Sequence, residues 1–234
     1  MHTSKTVTIH QPQYLPWIPY FSKILESDLF IILDNVAFQK NGVQNRNQIK
    51  TPNGKTWLTL PIKHSLGQPI KDTVIANPTI ATKHLKTIEQ SYKKALFFDE
   101  IYSLLSNILQ KTFTHLNEIN CELLKAFLNY LEYDGEIINA SVLNVDGSNS
   151  ELIRNLCLET NATTYLSGQG GKNYMDMADF EKNNIHVVFH EYTTQPYTQL
   201  YPTQGFFDDL SIIDLLFNLG KQSRAHIQKG QNHK

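Results

Sequence analysis

Residues 6–34, TVTIHQPQYLPWIPYFSKILESDLFIILD, carry the clearest fold signal in the chain. Thr6 to His10 is β-branched and apolar, which predicts a buried strand. Trp17 to Ser27 has the pattern of a short helix, and Leu29 to Asp34 is a second apolar run that predicts another buried strand. Strand, helix and strand in this order predict a βαβ unit.

The following segments predict an insertion and then a return to the sheet. The runs NRNQIKT and KTWLTL flank the Asn-Gly pair at residues 53–54, which indicates a β-hairpin. Residues from about 79 to 133 have apolar positions spaced by three and four, which indicates a helical insertion. Beyond Gly135, strand and helix patterns alternate again, as they do in parallel sheets. The predicted fold class is α/β, a Rossmann-like parallel sheet flanked by helices, with an inserted hairpin and a helical segment.

Length and composition limit the possible classes of protein. The chain has 234 residues, with 41% hydrophobic and 18% charged residues, so we expect one globular domain over residues 1–234. A formal net charge of −1 argues against DNA binding, because a DNA-binding surface needs an excess of basic side chains. No apolar run approaches the roughly 18 residues of a membrane span. The absence of a signal-like start and the presence of only two cysteines favour a cytoplasmic protein.

The C-terminal ends of the predicted strands are the expected place for chemistry. His10, Asp34 and Ser167 each lie at such an end, and open α/β sheets bind ligands at this edge. We therefore predict catalytic roles for His10 and Asp34. The prolines after His10 fix the loop, so Tyr14 and Trp17 are expected to form rigid walls of the site and not to enter the core. The alternative is that His10 only hydrogen-bonds the loop.

Residues 38–47 form an amide-rich segment with two basic side chains. Amides and cations at the end of a strand pair suit recognition of a sugar, a base edge or a phosphate. Arg46 offers a planar fork for an anion and Lys40 a point charge. The alternative is a polar loop that leads into an exposed hairpin.

The turn Ser167–Lys172, SGQGGK, follows a predicted strand and precedes a predicted helix. Glycines at such a turn let backbone N–H groups face a phosphate or carboxylate, and a helix dipole would add attraction. The alternative is an ordinary tight turn. The full set of predicted substrate-binding residues is Gln11, Tyr14, Trp17, Lys40, Gln44, Asn45, Arg46, Ser167, Gly168, Gly170, Gly171, Lys172 and Tyr174.

No metal site is predicted. His186 and His190 fall on one face of a predicted strand, but four residues of strand separate them by roughly 13 Å, too far for one ion. No Cys or His cluster has the spacing of a zinc site. The sequence assigns no cofactor.

Four segments of the chain closely resemble the WbqC-like protein family. They are HQPQYLPWIPYFSKI, ILDNVAFQKNGVQNRNQIKTPNG, YLSGQGGKNYMD and LSIIDLLFNLG. The resemblance implies a role in building O-antigen or another bacterial surface polysaccharide. It further suggests transfer of an aminoacyl or acyl group to the amine of a nucleotide-linked amino sugar.

A weaker similarity connects residues 6–39 with pantothenate synthetase and other nucleotidylyltransferase-like folds, which adenylate a carboxylate before forming an amide. This chain has His10 alone where those folds have an H-x-G-H pair. The difference argues against ATP use, and the sequence leaves the acyl or aminoacyl donor open.

Two hypotheses follow. In the first, the protein is an enzyme in which His10 accepts a proton from the sugar amine, Asp34 orients it, and the turn at 167–172 with Arg46 and Lys40 holds phosphate. In the second, it is a noncatalytic module that binds a sugar nucleotide or a partner protein through its aromatic and amide residues. The sequence does not indicate the oligomeric state.

Overall fold

A five-stranded parallel sheet lies at the centre of residues 4–231, the part of the chain that the computed structural model describes. Two small antiparallel pairs accompany it. The strands are β1 (Thr6–His10), β2 (Leu29–Ile32), β3 (Arg46–Thr51), β4 (Gly54–Thr59), β5 (Ile62–Lys63), β6 (Val74–Ile75), β7 (Glu136–Asn139), β8 (Thr164–Ser167) and β9 (His186–Phe189).

The order of strands in the large sheet is β7-β2-β1-β8-β9, and all its neighbours are parallel. The chain therefore moves outward from β1 to β2 and β7, and then returns to the other side of β1 for β8 and β9. In parallel sheets, a crevice forms at the carboxyl ends of the two adjacent strands from which the chain continues towards opposite edges of the sheet. Here those strands are β1 and β8, which pair through Val7 and Tyr165.

Helices cover both faces of the sheet. Their bounds are α1 (Ile18–Leu25), α2 (Ile80–Tyr92), α3 (Phe98–Leu109), α4 (Leu116–Tyr130), α5 (Asn149–Glu159), α6 (Met177–Lys182), α7 (Ile212–Leu219) and α8 (Ser223–Gln228).

The alternation of side chains along β1 and β2 explains the two layers. Val7, Ile9, Leu29 and Ile31 point to a core shared with α5 and α6. Residues of β2 whose side chains point to the opposite face of the sheet, such as Phe30, belong to a larger core formed with α1, α2, α3, α4 and α7. A strand with apolar residues on both faces needs helices on both sides, as in other α/β folds.

The predicted α/β fold class is confirmed, including the hairpin and the helical segment. β3 and β4 pair from Arg46 with Thr59 to Thr51 with Gly54, around the Asn-Gly turn. Helices α2, α3 and α4 occupy the predicted insertion. The first helix is two residues shorter at its C-terminus and one at its N-terminus than Trp17 to Ser27. The assignment of residues 1–234 to one domain stays a prediction.

Within the described residues, no helix has the length and apolar character needed to cross a membrane.

Candidate functional site

A cavity opens at the carboxyl edge of the sheet where β1 and β8 adjoin, and we call it the switch-point cavity. Its volume is about 660 Å³, within the range typical of small-molecule sites. It is lined by His10, Trp17, Pro19, Tyr20, Lys23, Gly168, Gln169, Gly170, His190, Tyr192, Thr193, Thr194, Asp208 and Asp209.

His10 ends β1 and lines this cavity as a neutral imidazole. Its Nδ1 lies 3.1 Å from the carbonyl oxygen of Gln11. Because a carbonyl oxygen can only accept, Nδ1 carries the hydrogen and Nε2 is left as an acceptor. Burial, together with the charge of Lys23, lowers the pKa of His10 to about 3. The imidazole of His10 is therefore neutral at physiological pH.

Lys23 brings a buried amine to the same cavity from α1. The residue is only 3% exposed, and its Nζ donates a hydrogen bond of 3.3 Å to the carbonyl oxygen of Ile9. A Cβ atom added to Gly168 would lie 4.0 Å from this Nζ, so the glycine turn closely approaches the amine. Burial lowers the pKa of Lys23 to about 7. Lys23, and not His10, is the group that changes protonation state near neutral pH.

The remaining walls combine aromatic and polar groups. Trp17 immediately precedes α1 and is 41% exposed. His190 also lines the cavity, and its Nε2 lies 3.1 Å from both Glu26 Oε1 and Ser22 Oγ. Asp208 and Asp209 also line the cavity, and Asp209 forms a 2.6 Å ion pair with Lys55 of β4. A ligand in this space would therefore meet aromatic faces, an amine and carboxylates.

The glycine turn contributes Gly168, Gln169 and Gly170 to the cavity, while Ser167 and Lys172 do not line it. Gly168 and Gly170 line the cavity, but Ser167 Oγ donates to the carbonyl oxygen of Gly168 at 3.0 Å. Lys172 lies over the Phe189 ring, 5.1 Å from its centroid. Gly171 is buried with no room for a Cβ atom. The exposed side chain of Tyr174 does not line the cavity either.

The structure corrects the expectation that an α-helix begins directly after this turn and adds its dipole to the site. Residues Gln169–Asn173 form a 3₁₀ helix, and α6 begins only at Met177. The N-terminus of α6 is capped by Asp176, whose side chain accepts from the backbone N–H of Asp179. Any anion at this turn would therefore be bound by the backbone of the turn and by Lys23.

Asp34 follows β2, and its carboxylate accepts hydrogen bonds from α4, from β7 and from the residues after β7. Its Oδ2 accepts from Asn139 Nδ2 at 2.7 Å and Asn117 Nδ2 at 3.2 Å. The backbone N–H and the hydroxyl of Ser141 also donate to this carboxylate, at 2.9 and 2.8 Å. Of the three residues expected to converge, His10 lines the switch-point cavity, whereas Asp34 and Ser167 do not.

Tyr14 is part of the core, which corrects the expectation that it forms a wall of the site. The side chain is fully buried, and its hydroxyl lies 2.8 Å from His84 Nδ1 on α2. Burial lowers the pKa of His84 to about 4, so the ring is neutral near pH 7 and can share a hydrogen bond with the phenol. This contact depends on a helix 70 residues away.

The predicted amide residues mainly stabilise their own loop. Gln44 Nε2 donates to Gln11 Oε1 at 2.7 Å, and Gln44 Oε1 accepts from the backbone of Gln39 at 2.8 Å. Asn45 Nδ2 donates to the carbonyl oxygen of Leu60 at 2.8 Å. Buried amides usually need such partners, so these groups maintain the loop geometry.

Lys40 and Arg46 do not join the switch-point cavity. They line a separate space of about 230 Å³, which we call the basic cavity. Its lining residues are Phe38, Lys40, Asn41, Asn45, Arg46, Thr59, Ile62 and His64. The structure therefore separates the two groups of predicted phosphate ligands, the glycine turn and the pair Lys40 and Arg46.

The described residues 4–231 contain no group of three His, Cys, Asp or Glu side chains placed to hold a metal ion.

Comparison with known proteins identifies the family. The family model for WbqC-like proteins matches residues 11–226, which include every candidate side chain except His10. The chain belongs to the WbqC-like protein family. A relative is the uncharacterized protein Rv1507c of Mycobacterium tuberculosis, which is 35% identical over 228 residues, 96% of this chain and 98% of the relative. No solved structure shows significant similarity to the chain.

The residue of this WbqC-like chain that sequence reasoning missed is Lys23. It is the only charged residue in the segment WIPYFSKIL, residues 17–25. A single lysine inside so apolar a helix is a signal of a buried cation, because lysine is seldom fully buried without a reason. His190, Tyr192 and Asp208 were also not predicted, and their approach to His10 depends on the tertiary fold.

Proposed function

We propose that the protein transfers an aminoacyl or acyl group to the amine of a nucleotide-linked amino sugar, in the synthesis of a surface polysaccharide, and that the switch-point cavity is its active site. The observation that carries this proposal is the presence of a neutral imidazole, His10, and a buried amine, Lys23, on one cavity wall. Amide formation from an amino sugar requires a group that removes a proton from the amine and a group that orients its N–H, and Lys23 and His10 fit these two roles.

Lys23 is the base that fits the first step. A sugar amine is a nucleophile only after its ammonium form loses a proton. With its pKa near 7, about half of Lys23 is free amine at neutral pH and can accept that proton. The released lone pair then forms a bond to the carbonyl carbon of the acyl donor, and a tetrahedral intermediate results.

His10 fits the second step through its unprotonated Nε2. The nitrogen of the intermediate must lose another proton before the amide is complete, and Nε2, which stays unprotonated, accepts a hydrogen bond from this N–H and orients it. The bond between the carbonyl carbon and the leaving group then breaks, its electron pair departs with that group, and the group takes the proton from the nitrogen. The proton held by Lys23 returns to solvent. The backbone of Gly168 and Gly170 borders the space where the oxyanion would develop.

The experiment combines binding with product formation. UDP- and dTDP-linked amino sugars are titrated into a Trp57→Phe protein, in which Trp17 is the remaining tryptophan and reports on the switch-point cavity. Each binder is then incubated with acyl-CoA, aminoacyl-tRNA, an acyl carrier, or an amino acid with ATP, and mass spectrometry is used to find an N-acylated sugar.

The proposal expects product from the unmodified protein. Turnover should fall at least 100-fold in Lys23→Met, a typical effect of removing a general base, and by a similar factor in His10→Phe. Lys63→Met is the control, because it removes a positive charge from an exposed position outside both cavities. Full turnover in Lys23→Met would exclude Lys23 as the base. Tight binding of an amino sugar without product from any donor would favour the noncatalytic module.

A further inference from the structure

The basic cavity contains side chains that the proposed reaction does not use. Lys40, Arg46 and His64 all line it. They come from three separate segments, namely the loop before the hairpin, the start of β3 and the residue after β5. None of the described residues that line this cavity is acidic. Basic side chains gathered without a carboxylate repel one another when charged and attract an anion.

We propose that the basic cavity is a binding site for the phosphoryl group of a small phosphorylated ligand. The volume of about 230 Å³ is below the roughly 300–1,000 Å³ of sites that enclose a whole drug-sized molecule. It therefore suits a phosphoryl group whose organic part extends outside. This inference does not depend on the acyl-transfer reaction.

Arg46 is positioned in advance for such a ligand. Its guanidinium carbon lies 4.5 Å from the centroid of the Trp57 ring, and its Nη2 donates to the carbonyl oxygen of Asn41 at 2.7 Å. These contacts hold the plane of the guanidinium, while Nε is buried without a hydrogen-bond partner among the described residues. A guanidinium with unused N–H donors is well suited to bind two phosphate oxygens at once.

The loop that carries Lys40 is anchored at both of its ends. The backbone N–H of Gln39 donates to the Gln44 side chain, and Gln44 in turn donates to Gln11. The backbone N–H of the preceding residue, Phe38, donates to the carbonyl oxygen of Gln68 at 2.9 Å. These bonds limit the conformational entropy that the loop would lose on binding an anion. The position of Lys40 is thus prepared before a ligand arrives.

The two tryptophans of the chain allow the two cavities to be distinguished. Trp57 stacks on Arg46 beside the basic cavity, while Trp17 lines the switch-point cavity. A Trp17→Phe protein therefore reports on the basic cavity through Trp57, and a Trp57→Phe protein reports on the switch-point cavity. Both are titrated with inorganic phosphate and with glucose 1-phosphate at constant ionic strength, with chloride as the reference anion. Calorimetry measures the affinity in parallel.

We expect both phosphates to bind and to change the emission of Trp57 but not that of Trp17. Arg46→Gln should weaken binding about tenfold or more, which is the effect of losing a charge-assisted hydrogen bond. Lys40 and His64 are exposed, so their replacement by Gln tests the site even if Arg46→Gln fails to fold. Each of these two substitutions should weaken binding about threefold. Lys63→Gln, next to His64 but outside the cavity, should bind as the unmodified protein does.

Three results would overturn the inference. The first is no calorimetric binding of either phosphate in a folded protein at tens of millimolar. The second is equal losses in Lys63→Gln and Lys40→Gln, which would indicate unspecific attraction. The third is binding that depends on Lys23 and changes Trp17 emission, which would place the phosphate in the switch-point cavity. If glucose 1-phosphate binds more tightly than inorganic phosphate, the ligand is a phosphate ester; equal affinities indicate that only the phosphoryl group is recognised.

Discussion

Replacing Lys23 by methionine should stabilise the protein, and the gain should depend on pH in a defined direction. The pKa of Lys23 is about 7 in the folded protein, below its ordinary value of 10.5. Between these values the unfolded chain binds more protons than the folded one, so stability increases with pH. The cost of burying Lys23 is therefore fully present below pH 7 and disappears as the pH rises towards 10.5.

The shift of about 3.5 pKa units corresponds to an upper limit of about 5 kcal/mol, at roughly 1.36 kcal/mol per unit. Between pH 6 and pH 9.5 the same linkage relation gives a relief of about 3 kcal/mol. The stabilisation caused by Lys23→Met should be larger at pH 6 than at pH 9.5 by about this amount. Methionine keeps the length and apolar volume of the side chain, so its packing cost is small.

Urea unfolding of both proteins at pH 6 and pH 9.5 measures this double difference. Taking the difference between two pH values removes the packing term and the loss of the hydrogen bond to Ile9, provided that neither depends on pH. Lys63→Met is measured in the same way, so that the effect of removing an exposed charge can be subtracted. A difference for Lys23→Met that is within about 0.5 kcal/mol of zero, the error of such measurements, would refute the reasoning about Lys23.

Two further substitutions test the surroundings of the site by urea unfolding. Asp34→Ala should cost about 3 kcal/mol, because it removes a buried carboxylate and leaves the part-buried donors of Asn139 and Ser141 without their acceptor; a loss below about 1 kcal/mol would argue against a structural role. Gly171→Ala should cost about 1–3 kcal/mol, because its Cβ would overlap Ser167 Oγ. Gly170→Ala is the matched control, since nothing lies within 4 Å of its added Cβ, and an equal loss there would contradict this explanation.

The sheet was predictable because its signal is local. Leu29 to Ile32 is apolar on both faces, and such a run requires helices on both sides wherever it lies in the chain. Thr6 to Ile9 is β-branched throughout, which favours a strand. The Asn-Gly turn of the hairpin is likewise a local feature, since Gly54 adopts a φ of 106° that favours glycine. Each of these features depends on residues close together in sequence.

The site was less predictable because its contacts are distant in sequence. In the core, the hydroxyl of Tyr14 contacts His84 of α2. The carboxylate of Asp34 accepts a hydrogen bond from Ser141, which follows β7. No spacing rule reveals such partners. Lys23 is an intermediate case. Its apolar neighbours indicate burial, but the cavity beside it is completed by Gly168, which follows β8, and by His190, which follows β9.

The position of β1 in the sheet affects how the chain is made. Its two neighbours are β2, about 20 residues later, and β8, about 150 residues later. At a synthesis rate of roughly 5–20 residues per second, β8 is made roughly 8–30 s after β1. The side of β1 that pairs with β8 has no partner strand during this time. During that interval an apolar strand has one row of unpaired backbone groups, which other chains can pair with. The strand that ends in His10 is thus also the place where the nascent chain is most exposed to aggregation.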